Sequence, residues 1–253
     1  MASMMDVASN ETKGEVEKVD MELEEEEVLD ELKIAFEELE ENSCKDVSEY
    51  EKLMDNDRVD ELAVKTKEKV ISKMTRLYTE GKNTAAIMGL MKKNSDFFGA
   101  IPKAKTAKIV RNILSIVSTI PDSQELQVSL CDNLISWCEE EKRTFLRQRI
   151  DARLCVLLLN QKDTTRALKI VNKLLSELKK LDDKQMLTEV HLTESRIYHV
   201  LENIPKSKAS LTASRSAANS IYVVPLLQAE LDEMSGVLCC EEGDNSTAFS
   251  YVG

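Results

Sequence analysis

The chain has 253 residues and a formal net charge of −12, with only seven glycines, four prolines and 4% aromatics. Such a composition suits long helices with short turns and supplies too little clustered β-branched or aromatic material for a sheet core, so the expected fold class is all-α. No stretch approaches the roughly 18 apolar residues that a membrane span needs, and no apolar run follows a basic N-terminal segment, so a soluble, intracellular protein with no membrane partner is expected.

The first 60 residues hold 22 acids and six bases, whereas residues 61–253 hold 24 acids and 28 bases. The acidity therefore belongs to an N-terminal arm, and a body close to neutral lacks the basic footprint of a nucleic-acid binder. Residues 1–25 have little apolar surface to offset chain entropy and read as a disordered acidic tail. The segment EEEEVLDELKIAFEELEEN then sets Val28, Leu29, Leu32, Ala35, Phe36 and Leu39 on one helical face. Residues 26–60 read as a degenerate acidic first helical repeat.

From residue 61 onward, turn signals recur at TEGKN (Gly81), TIPDS (Pro121), LNQKD (Asn160), ENIPK (Asn203) and EEGDN (Gly243), with separations of 40, 39, 43 and 40. A second series at Ile101, Glu141, Asp182 and Val224 interleaves with them at 40, 41 and 42. Two interleaved series of one period imply pairs of helices, an α-solenoid of tetratricopeptide-like hairpins repeating about every 40 residues. In ALKIVNKLLSELKKL the residues Leu168, Val171, Leu174, Leu175, Leu178 and Leu181 form a stripe at spacings of three and four, as a helix packed on one side requires. Ala85, Ala86, Ala167, Ala209 and Ala248 follow the first series of turns, where a small side chain lets paired helices approach closely. The solenoid is read as 61–253, ending mid-repeat. Its last segment, DNSTAFSYVG, leaves Phe249 and Tyr251 on an apolar edge through which copies of the chain would self-associate.

Sites of chemistry are scarce. His191 and His199 are the only histidines and lie about 80° apart around a helix, without HExxH or HxH spacing, so no metal is assigned. The glycines form no phosphate-cradling loop, and no Ser or Cys nucleophile has an evident base, so no cofactor and no enzyme activity are expected. Cys44, Cys131, Cys138, Cys155, Cys239 and Cys240 show no CxxC pair and read as mostly buried, reduced side chains. Trp137, in NLISWCEEE, reads as a core anchor of its hairpin, as does Tyr222 at the end of LTASRSAANSIY.

One stretch stands against the acidic balance: EKRTFLRQRIDARL, with Lys142, Arg143, Arg147, Arg149 and Arg153. At 100° per residue, Lys142, Arg149 and Arg153 form one line and Arg143 and Arg147 a second. Salt bridging between repeats is the first reading, with Arg147 set to pair with Asp151 at i, i+4. A partner-facing surface is the second, and nucleic acid is third because no aromatic platform interleaves the cations.

These residues also resemble a known family. EKRTFLRQ (141–148), LKKLDDKQMLTEVHLTESRIYH (178–199) and LTASRSAANSIY (211–222), with KAKTAKIVRNIL (103–114) and LQAELDEMSG (227–236), closely resemble the solenoid-PCI family of proteasome lid subunits. The resemblance implies a right-handed solenoid and a non-catalytic scaffold of the regulatory particle, in the cytoplasm and nucleus, serving degradation of ubiquitinated proteins. It implies contacts with the core-particle α-ring, the ATPase ring and other lid subunits. It also implies a C-terminal winged-helix PCI module and a final helix, and neither is found in this sequence, which reads as a truncated form. Rival readings are an adaptor in another PCI-containing assembly, in a signalosome or in translation initiation, or a shortened paralogue outside the lid. A metal isopeptidase would need the HxH pair that the sequence lacks.

Overall fold

A computed structural model of the chain describes residues 31–252 apart from Ser43, Asp57, Lys82 and Asp122. Val28, Leu29 and the tail assigned to residues 1–25 lie outside the described residues. Among the described residues the fold is all-α, with thirteen helices and no strand. They divide into two compact units, one running through Asn83 and including Gly89–Ile116, the other containing Thr84–Met88 and everything from Val117 onward.

In the first unit, α1 (Glu31–Glu41) and α2 (Val47–Met54) pack on α3 (Glu61–Glu80). Asp46 caps α2 by accepting from the Ser48 amide at 3.0 Å, and Asp60 caps α3 by accepting from the Ala63 amide at 3.3 Å. Each satisfies one of the donors that a helix start leaves unpaired. Phe36 meets Tyr50 edge to face, with ring centroids 6.3 Å apart, over a core that includes Val70, Ile71 and Met74. Lys67 is also fully buried; its amine donates to the Asn56 carbonyl and lies 5.2 Å from the centre of the Phe97 ring. The sequence suggests one helix between Gly81 and Ile101, but the chain forms α4 (Thr84–Lys93) and α5 (Ser95–Ala100). Between them Asn94 donates its side-chain amide to the Leu90 carbonyl at 2.8 Å, the local competition with the helix ladder to which Asn is prone. The helix α6 (Lys103–Ser118) follows Pro102, and Asn112 and Lys108 tie it to Ser72 (2.7 Å) and Glu68 (2.8 Å) of α3.

The second unit continues as α7 (Gln124–Glu140), α8 (Thr144–Asn160), α9 (Thr164–Leu181), α10 (Lys184–Val200), α11 (Ile204–Ala218), α12 (Pro225–Glu241) and α13 (Asn245–Val252). Successive helices pack as hairpins, and α8, α10 and α12 also touch one another in turn, so hairpin stacks on hairpin. The alternate helices α7, α9, α11 and α13 start 40 or 41 residues apart.

The turns explain this regularity. Lys142, Lys162, Asp182, Glu202 and Gly243 all have positive φ, between 54° and 82°. Each ends a helix in the left-handed conformation, and at the turns of Lys142, Lys162, Glu202 and Gly243 the next amide returns to one of the last carbonyls; the Asp163 amide, for instance, reaches the Leu158 carbonyl at 3.0 Å. At four of these turns an Asp or Asn comes next and caps the following helix: Asp163 accepts from Arg166, Asp183 from Met186, Asn203 from Lys206 and Asp244 from Thr247. A turn of two or three residues thus stops one helix and starts the next.

Not every alanine meant to allow close approach does so. Ala167 and Ala248 are buried and Ala86 is half-buried, but Ala85 and Ala209 face solvent. Serines do this work between α10 and α11. Ser195 Oγ donates to the Ser207 carbonyl and Ser207 Oγ to the Ser195 carbonyl, both at 2.8 Å, while Ser214 Oγ reaches the Thr188 carbonyl at 2.6 Å. A hydroxyl is nearly as small as a methyl, and its bond to the facing backbone draws the helices together.

Candidate interaction surface

The five cations of EKRTFLRQRIDARL do not form the lines that continuous helical winding predicts, because the helix starts only at Thr144. Lys142 occupies the left-handed turn position with φ 54°, and Arg143 is the N-cap. Of the proposed triplet only Arg149 and Arg153, four residues apart on α8, share a helix face. Lys142 and Arg149 are exposed, and Arg153 is half-buried.

Arg147 turns inward. At 7% exposure it donates to Asp151 at 2.6 Å and to Glu177 of α9, and Gln148 adds a 3.0 Å bond to the same Glu177 oxygen. Burial pushes the Asp151 carboxyl above its ordinary value despite the attraction of Arg147. Burial would likewise raise Glu177, but the bonds from Gln148 and Arg147 hold it below the usual range. For Arg147 itself burial works against the charge, and the Glu177 bond with the fields of Asp151, Glu177 and Glu139 outweighs it and raises its pKa. Arg147 is therefore an internal tie between neighbouring helices, not a surface group.

Arg143 lies over the face of Trp137, its guanidinium carbon 5.3 Å from the ring centre, and Trp137 is 2% exposed. Arg149 acts toward α10, where its charge lowers the Glu189 carboxyl; burial of Glu189 is the larger effect and raises it. What faces solvent from the original five is thus Lys142 and Arg149, with the edge of Arg153 beside them. Tyr222 is no anchor: it is 86% exposed in the loop before α12, where no helix turns its ring toward the core.

Further ion pairs join helices of successive hairpins. Arg166 bonds to Asp132, Arg196 to Glu230 at 3.2 Å and Lys208 to Glu242, each pair 34 residues apart. They are partly exposed and individually worth about 0–1 kcal/mol, so they set register more than stability. His191 is buried and shares a 2.8 Å hydrogen bond with Glu194 one turn on, a packing role. Among the described residues no three His, Cys, Asp or Glu side chains converge as a metal site would require, and no helix is long and apolar enough to cross a membrane. Cys131, Cys138 and Cys155 are buried, with thiols pushed up to about 12 by burial, whereas Cys44 and Cys239 are partly exposed and Cys240 is exposed.

The residue-by-residue reading missed a longer cationic line, Lys65, Lys69, Lys73 and Arg76 on α3, at spacings of four, four and three. The signal is present in VKTKEKVISKMTR. Averaging charge over long segments concealed it.

Residues 29–161 match the model of the N-terminal domain of the 26S proteasome regulatory subunit RPN6, just over half of the chain. The chain is 42% identical over 213 residues to the 26S proteasome non-ATPase regulatory subunit 11 homolog of Arabidopsis thaliana, covering 84% of this chain and 51% of that protein. It is 41% identical over 210 residues to the Dictyostelium discoideum 26S proteasome non-ATPase regulatory subunit 11, covering 83% and 50%. With the Saccharomyces cerevisiae 26S proteasome regulatory subunit RPN6 it shares 44% identity over 158 residues, 62% of this chain and 36% of that protein. The chain spans about half the length of the first two of these relatives. A domain match that reaches from α1 through α8, together with this level of identity, places the chain in the RPN6 family of 26S proteasome regulatory subunits.

Proposed function

We propose that the chain is a non-catalytic structural component of the proteasome regulatory particle, acting through the surfaces of its stacked hairpins in ubiquitin-dependent degradation. The observation that carries this reading is the family match over α1 to α8, combined with a fold whose polar chemistry is spent on holding helices together. Capping Asp and Asn side chains, serine hydroxyls and the Arg147 node all make internal bonds, which suits a rigid spacer. In this role it would bridge the core-particle α-ring and the ATPase ring beside other lid subunits, in cytoplasm and nucleus. Arg149, exposed at the middle of α8, is the cation of the original five best placed for a partner.

The test is affinity purification of the tagged chain from its own cells with mass spectrometry of the bound proteins. Recovery of α-ring, ATPase-ring and lid subunits is expected, and their absence would overturn the reading. Arg149→Glu should weaken the recovery while leaving helicity by circular dichroism unchanged.

A further inference from the structure

The first unit contains a groove of about 740 Å³, bounded by α1, α3 and α6. Its walls present six cations: Lys65, Lys69, Lys73 and Arg76 from α3, Lys33 from α1 and Lys108 from α6. Against these stand two carboxylates, Glu40, paired with Lys73, and Glu68, paired with Lys108 at 2.8 Å. Among the described residues Lys65 and Lys33 hold only carboxylates of their own helices, Glu61 at 2.9 Å and Glu37 at 3.9 Å, in exposed i, i+4 pairs that cost little to exchange. Lys69 and Arg76 are exposed and have no carboxylate partner among the described residues. A chain with net charge −12 thus keeps a net positive groove whose charge its own described carboxylates do not neutralise.

We propose that this groove docks an extended acidic peptide segment of a partner protein. Lys65 to Arg76 covers eleven residues, about 16 Å of helix, the length of roughly five residues of extended peptide. Successive carboxylates on such a segment reach successive cations, and the half-buried Asn112 offers a polar contact between them. A nucleic acid fits less well. Phe36 is the only aromatic among the described lining residues and is itself buried, so no base finds a stacking surface there. Glu40 and Glu68 stand where a continuous phosphate backbone would have to pass, whereas a peptide can place a neutral residue there. The inference depends on charge and groove shape alone and holds whether or not the chain assembles with a proteasome.

The experiment is fluorescence anisotropy of a fluorescein-labelled hexaglutamate peptide titrated with the full chain. Saturable binding is expected at about 50 mM salt, falling at least about tenfold near 500 mM as the Debye length contracts. The paired variant Lys69→Glu, Arg76→Glu should lose about tenfold or more in affinity with its circular dichroism spectrum unchanged, and Lys169→Glu, at an exposed position of α9 in the other unit, should bind as the parent does. Equal binding by the Lys69, Arg76 variant, or no binding by the parent chain, would overturn the proposal. Two further outcomes would also overturn it: a single-stranded oligonucleotide of equal charge competing as well as the peptide does, or binding that appears only after residues 1–30 are removed, which would make the chain's own acidic segment the occupant.

Discussion

Arg147→Met should destabilise the second unit by about 3 kcal/mol at neutral pH. Arg147 and Asp151 are 7% and 6% exposed, and the guanidinium also holds Glu177 from the next helix. Removing one partner of a buried pair typically costs about 3–5 kcal/mol because the other charge stays buried. Glu177 is partly exposed and can turn to water, which puts the expected loss at the low end. The penalty should depend on pH, and its sign follows from the two carboxyls. Burial already raises Asp151 in the parent, and loss of Arg147 raises it further; a folded value above the unfolded one means stability present at low pH and lost as pH rises through the folded value. Glu177 is held low in the parent, so its contribution is present above the unfolded value and fades on acidification. The Asp151 effect narrows the gap between parent and variant as pH falls from 7, and the Glu177 effect adds to it only below the ordinary glutamate value of 4.5. Urea titration followed by fluorescence of Trp137, the one tryptophan and a buried residue of the same unit, reads the difference. Adding Asp151→Leu should recover a substantial part of the loss, since an apolar pair needs no counter-charge. A loss under about 1 kcal/mol at pH 7, or an equal loss at about pH 4, would refute the assignment of Arg147 as a buried tie.

Ser207→Ala should cost about 1–3 kcal/mol by leaving buried groups around Ser195 short of a partner, and Ser207→Leu should cost more by forcing α10 and α11 apart, both read by urea titration. Glu202→Gly should raise the midpoint of thermal unfolding, since a left-handed non-glycine residue carries about 1–2 kcal/mol of strain; a fall would mean that chain entropy outweighs that relief. Asp183→Ala removes the cap bonded to the Met186 amide and should cost about 1 kcal/mol, measurable in the same scan. With iodoacetamide at pH 8, Cys240 should label in the folded protein while Cys131, Cys138 and Cys155, buried and with thiols pushed up to about 12, react only on unfolding, as peptide mass spectrometry would show.

The hairpins of the second unit were legible because their boundaries are written in residue types that do one thing. Asp163, Asp183, Asn203 and Asp244 are caps, and a cap just after a turn announces a helix. The left-handed residues beside them were not legible, since Lys142, Lys162 and Glu202 carry no propensity for positive φ and are held there by the turn's hydrogen bonds. That single turn misplaced the cationic lines: winding EKRTFLRQRIDARL as one helix from Glu141 treats Lys142 as helical, and the chain breaks there. Alanine was also too narrow a signal for close approach. Ala209 lies on the solvent side of α11, while Ser207, Ser210 and Ser214, at spacings of three and four, mark the packed side. A reading that counted serine as small would have found that face.

Charge was read at the wrong scale in both places where it matters. The cluster on α8 drew notice because five cations fall within fourteen residues, yet density along the chain says nothing about which side each faces. Arg147 goes inward to Asp151 and Glu177, Arg143 onto Trp137, and little of the cluster remains outside. The line on α3 is more diluted in sequence, with Glu68 and apolar residues between its members, but its spacing of three and four holds it to one side of the helix. A cation's availability depends on what the facing helix offers. Opposite Arg147, α9 supplies a carboxylate; opposite Lys69 and Arg76, the described part of the first unit supplies none. The surfaces with charge left over for a partner are therefore found by pairing helices first and counting charge afterwards, and by that order of inference the basic groove of the first unit ranks above the cluster that the sequence made conspicuous.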